Sequence, residues 1–114
     1  MHIKNITKNT SISSKCDVAD SFITRFLGLM GKRELTHESG LLITPCNSIH
    51  MFFMHFPLDI IFIDKENTVV YLVEDIKPWC VTRLVWKAHS TIELPVGVIK
   101  KSETQIGDKL WLEG

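Results

Sequence analysis

The chain has 114 residues, 45% of them apolar and 23% charged. That fits one domain over residues 1–114 with an ordinary core, and it excludes a disordered chain, which is poor in apolar residues and rich in net charge. Thirteen basic residues balance thirteen acidic ones, for a formal net charge of +0 at pH 7, so the surface as a whole draws no polyanion and no nucleic-acid partner is expected.

Residues 1–8 and 11–18 are short alternating segments separated by Asn9-Thr10, the pattern of a hairpin or an edge pair. Asp20 and Ser21 can cap a helix, and Phe22, Ile23, Phe26, Leu27 and Met30 follow at helical spacing until Gly31. One short amphipathic helix is therefore predicted near residues 20–30. Strands are predicted next over residues 40–44, ending at Pro45, and over the Phe-, Met- and Ile-rich run 48–55. Residues 59–64 and 68–76 flank the polar link Lys65-Glu66-Asn67 and predict a hairpin. Residues 79–86 and 90–94 read as further strands, Pro95 and Gly97 break the run, and 109–112 closes the chain after the Gly107-Asp108 turn. About eight short strands with one helix predict a mainly β fold: a compact sandwich, a jelly roll or a small barrel. The links are too short for repeated helical crossovers, which excludes a doubly wound parallel sheet.

Cys16, Cys46 and Cys80 are odd in number and cannot all pair within the chain. The first eight residues lack the apolar run of a signal peptide, and no stretch approaches the ~18 unbroken apolar residues of a membrane helix. Free thiols, a cytoplasmic location and no membrane partner are the expectation. Neither Cys-x-x-Cys nor His-x-x-x-His spacing occurs among the three Cys and His37, His50, His55 and His89, so no metal site and no cofactor is expected.

The densest chemistry lies in residues 45–59. On a strand, His50 would share a largely apolar face with Ser48, Phe52 and Met54. A buried imidazole needs a partner, and it reads either as a satisfied core group or as a group that titrates against a ligand. Cys46 and His50 could form a thiolate–imidazolium pair, although four residues on an extended strand span roughly 13 Å and only a bend at Asn47-Ser48 would bring them together. Asp59 reads as a turn cap, as a partner for a cation such as Arg25, or as a carboxylate at a pocket mouth. Glu93 sits in an apolar strand and is either outward-facing or paired. Trp79, Trp86 and Trp111 are core or interface anchors, or the walls of a pocket for a flat or sugar-like ligand.

Arg25-Phe26-Leu27-Gly28-Leu29-Met30, Gly40-Leu41-Leu42-Ile43, Ile49-His50-Met51-Phe52-Phe53-Met54, Phe56-Pro57-Leu58-Asp59-Ile60-Ile61-Phe62-Ile63-Asp64, Glu93-Leu94-Pro95-Val96-Gly97 and Gly107-Asp108 occur in this order. Over about residues 20 to 112 the chain thereby resembles the bacterial and archaeal family known as domain of unknown function 192. Cys46-Asn47-Ser48-Ile49-His50 resembles a subset in which a Cys and a His precede the Met-Pro-Asp stretch. The resemblance implies a compact, mainly β domain and lends no reaction. It adds Arg25 and Met54 to His50, Asp59 and Glu93 as ligand-binding candidates.

Three functions remain. The first is a small binding domain with a cleft for a small molecule or peptide near Arg25, His50 and Asp59. The second is an enzyme using Cys46 and His50. The third is an interaction protein without a catalytic site, whose partner is another protein.

Overall fold

The computed structural model describes residues 1–19, 38–51 and 56–114. Among them it holds eight strands and one short helix: β1 (His2–Asn5), β2 (Thr10–Ser13), β3 (Lys15–Ala19), β4 (Ser39–Ile43), β5 (Leu58–Ile63), β6 (Val69–Ile76), β7 (Ser90–Leu94), α1 (Val98–Lys101) and β8 (Leu110–Glu113). The helix expected near residues 20–30, with Arg25, and the positions of Met54 and His55 lie outside the described residues.

Two sheets form, one ordered β2-β1-β8 and one ordered β3-β4-β7-β5-β6. All neighbours are antiparallel except β3 and β4, which run parallel. The alternation along β5 explains the layering. Ile61 and Ile63 face one way and pack with Leu42, Ile92 and Leu94 against Ile3, Ile12 and Leu110 of the smaller sheet, with Val98 and Ile99 of α1 at the side. Leu58, Ile60 and Phe62 face the other way and pack with Leu41 and Ile43 under Ile49, Met51 and Val85. The larger sheet is thus covered on both faces, and every residue of β5 and β7 is buried. Each such Ile or Leu contributes roughly 1.5–3 kcal/mol of transfer free energy. The arrangement is an open two-sheet sandwich, not a closed barrel.

The β5–β6 hairpin forms as expected. Asp64 Oδ1 accepts the N–H groups of Glu66 at 2.9 Å and Thr68 at 3.0 Å, and Asn67 takes a positive φ of 64°. Three expectations are corrected. Residues 11–18 are not one strand: the Ser14 and Lys15 N–H groups both donate to the Glu38 carbonyl, which turns the chain out of the small sheet and into the large one. Residues 48–51 and 79–86 form no regular strand. The chain leaves Pro78 through Trp79 at φ 71°, and the two stretches meet in an irregular ribbon with a single bridge, His50 to Val81. Helix α1 was not expected. It starts where Gly97, at φ 101°, adopts a left-handed turn closed to most side chains.

Among the described residues no helix is long and apolar enough to cross a membrane.

Candidate functional site

Asp59 points from β5 toward α1 and is fully buried. Its Oδ1 accepts the Asp75 N–H at 2.9 Å, and its Oδ2 accepts those of Gly97 and Ile99, each at 3.0 Å. Gly97 has no side chain with which to cap the helix, so a strand carboxyl does it from below. The group is bound to its own backbone on three sides, which fits the turn-capping reading of the residue.

Glu93 leaves β7 on the opposite face. Its neighbours in register are Leu41 on β4 and Ile60 on β5, both in the outer apolar cluster. The residue is 8% exposed, and burial pushes its carboxyl up to about 7. Among the described residues no side chain is hydrogen-bonded or ion-paired to it. A neutral Glu in such a place can donate one hydrogen bond as well as accept.

Two residues back on the same face, Thr91 donates its hydroxyl to the Cys46 carbonyl at 3.0 Å. The Cys46 N–H donates to the His89 carbonyl at 2.9 Å. These bonds lay residues 45–48 beside 88–91 and leave a cleft of about 330 Å³ lined by Pro45, Cys46, Asn47, Ser48, Ala88 and His89. A second hollow of about 300 Å³ shares Ala88 and His89 and adds Asp64, Lys65, Glu66, Trp86 and Lys87. The Cys46 Sγ–H donates to the Ser48 carbonyl at 3.1 Å. The chain bends at Asn47, but the thiol hydrogen is directed to the Ser48 carbonyl.

His50 lies on the ribbon and is exposed, opposite Val81. Trp79 and Trp86 are exposed on the same ribbon, and Trp111 is exposed on β8 of the other sheet, so the three do not wall one pocket. The structure therefore groups Cys46 with His89 at the cleft and sets Glu93 on that same side of the sheet. Asp59 is set on the other side. Arg25 and Met54 are outside the described residues. Among the described residues no group of three His, Cys, Asp or Glu could hold a metal ion.

His89 is the cleft residue that the sequence singled out only within the metal-ligand pool, while Trp86, a pocket-wall candidate, lines the neighbouring hollow. His89 stands 43 positions from Cys46, and only the pairing of Cys46 N–H with its carbonyl reveals the link.

The DUF192 family model, described as Uncharacterized ACR, matches residues 3–112. The UPF0127 protein PH1112 of Pyrococcus horikoshii is 37% identical over 113 residues, 95% of this chain and 96% of that protein. The UPF0127 protein PYRAB11210 of Pyrococcus abyssi is 36% identical over 116 residues, covering 96% and 97%. The crystal structure of a protein of unknown function from Novosphingobium aromaticivorans DSM 12444 superposes with a TM-score of 0.82 at 20% identity, over 97% of this chain and 82% of that one. At that identity the likeness is one of fold.

Proposed function

The chain belongs to the DUF192 family, and from that premise we propose that it is a small binding domain that takes a small molecule or peptide on the outer side of its larger sheet. The observation that carries this reading is the cleft of about 330 Å³ between residues 45–48 and 88–89, near the lower end of the size range of ligand pockets. Asn47, Ser48 and His89 offer it convergent polar groups, and Glu93 adds a buried carboxyl on the same side. His50 is the group that meets the ligand from the ribbon. Asp59 positions α1 from behind. Arg25 and Met54 are the remaining ligand contacts.

Native mass spectrometry of the purified full chain, beside a denatured control, tests this. The expected result is extra mass of small-molecule or peptide size that is lost on denaturation and is much reduced in His89→Ala. A bare wild-type mass from cells grown and lysed under several conditions overturns it. Arg25→Ala and Met54→Ala then report on those two contacts by the same readout.

A second reading, an enzyme with a Cys46 nucleophile, is favoured by one observation: Cys46 and His89 line the same cleft. It requires the thiol to leave the Ser48 carbonyl. Alkylation of Cys46 followed against pH, in wild type, His50→Ala and His89→Ala, decides it. A profile unchanged in both variants removes this reading.

A further inference from the structure

We propose that the ligand of this site is a neutral saccharide, stacked on Trp86 and hydrogen-bonded by Asn47, Ser48 and His89. This assignment rests on the binding reading and gives its ligand a chemical class. The cleft beside Cys46 and the hollow beside Trp86 share Ala88 and His89, so the two form one trough across those residues. A single buried residue fixes both halves. The Val85 N–H donates to the Asn47 carbonyl at 2.8 Å, and the Val85 carbonyl accepts the Ala88 N–H at 3.0 Å. Trp86 and Lys87 therefore occupy the tip of a closed turn whose base is tied to the cleft wall. His89 is pinned at both backbone groups: its N–H donates to the Ile63 carbonyl at 2.8 Å, and its carbonyl accepts the Cys46 N–H at 2.9 Å. The side chains are left open. Trp86 is 82% exposed. Among the described residues nothing is hydrogen-bonded to its indole N–H, to the Asn47 amide, to the Ser48 hydroxyl or to the His89 imidazole.

The chemistry of those groups selects the class. Amide, hydroxyl and imidazole each both donate and accept, as a sugar hydroxyl does. Among the described residues no Asp, Glu, Lys or Arg lines the cleft. A ligand carboxylate, phosphate or ammonium would lose hydration there without meeting an opposite charge. One open aromatic face matches a pyranose ring, which presents an apolar C–H face inside a rim of hydroxyls. A peptide side chain seeks an enclosed apolar pocket instead. Among the described residues Ala88 is the one further apolar residue at the Trp86 hollow, and the others there are charged or polar. Two hollows in line suit two linked rings, so a disaccharide is the smallest ligand expected to fill the trough.

NMR titration of the isotope-labelled full chain with maltose, cellobiose, lactose and N,N′-diacetylchitobiose, each to about 20 mM, tests the proposal. At least one sugar should move the Trp86 indole signal together with the amides of residues 46–48 and 88–89. Trp86→Ala should weaken that sugar about tenfold, the weight of one aromatic contact, and His89→Ala should weaken it as well. Trp111→Ala, exposed on β8 of the other sheet, should leave the affinity unchanged. Adenosine and a capped tetra-alanine peptide are titrated in parallel. If either moves these signals and no sugar does, the saccharide class is overturned while the cleft stands as a binding site. If none of the probes moves them, the saccharide class falls, and native mass spectrometry judges the binding reading separately. Sugar binding indifferent to Trp86→Ala, or equally weakened by Trp111→Ala, overturns the proposal too.

Discussion

Asp59 and Glu93 stand diagonally across β5 and β7, and their carboxyl groups leave the sheet on opposite faces: Asp59 is in register with Leu94, Glu93 with Ile60. One is enclosed by three backbone N–H donors. The other is surrounded in register by Leu and Ile. Two acids of the same strand pair thus take opposite tasks, one holding the fold and one burdening it.

Asp59→Ala should destabilise the protein by about 2–4 kcal/mol, because it strands N–H groups on two separate elements. Urea unfolding measures the loss. Amide exchange at Asp75, Gly97 and Ile99 should accelerate together. A variant as stable as wild type, or one in which only a single amide speeds up, would show that the carboxyl does not join the elements.

Glu93 makes stability fall as pH rises. Its folded value of about 7 lies above the ordinary 4.5, so between those values the unfolded chain ionises while the folded one does not. The contribution is fully present below pH 4.5 and is lost as pH climbs through 7, for a total of roughly 3 kcal/mol. Glu93→Gln should abolish this component and be more stable than wild type at pH 8. Unfolding free energies of both proteins at pH 5 and pH 8 provide the check. Parallel curves for the two would refute it.

Asp108 acts with the opposite sign. Burial works against its charge, but hydrogen bonds from Asn5, Lys8 and the Gln105 N–H, with the Lys8 ammonium beside it, hold its carboxyl below the ordinary 3.8. Its contribution is present above 3.8 and is lost as pH falls through the lower folded value. Asp108→Asn should lose about 1–3 kcal/mol at pH 7 and show a flatter acid limb in a denaturation series from pH 5 to pH 2.

The three thiols should separate under a mild alkylating agent. Cys16 is 3% exposed, and burial pushes its thiol up to about 11. It should stay unmodified in the native protein and react only on unfolding. Cys80 is exposed and Cys46 half-buried, so intact mass after brief native labelling should show up to two additions, never three.

Much of this fold could be read from local pattern. The β5–β6 hairpin announces itself through Lys65-Glu66-Asn67, and the apolar run of residues 58–63 through its composition. What escaped was set by partners far along the chain. Ser14 ends a strand because Glu38 offers its carbonyl there. Residues 79–86 alternate like a strand, but Trp79 takes a left-handed turn and the opposing stretch 47–51 is irregular. Helix α1, at four residues, is shorter than any periodicity can register, and its anchor Asp59 is 40 positions from Ile99. For the site, Cys46 was visible by its chemistry. Its proximity to His89, and the opposite facing of Asp59 and Glu93, depend on sheet register that one sequence does not encode locally.

The smaller sheet is completed by β1 pairing with β8, His2 against Glu113 and Asn5 against Leu110. During translation β1 has only β2 beside it until residues 110–113 clear the ribosome. Ile3 and Ile12 therefore wait without their Leu110 counterpart while the rest of the sandwich is synthesised. Closure of the smaller sheet thus waits for residues 110–113, and until they are made the edge of β1 that will take β8 stays open.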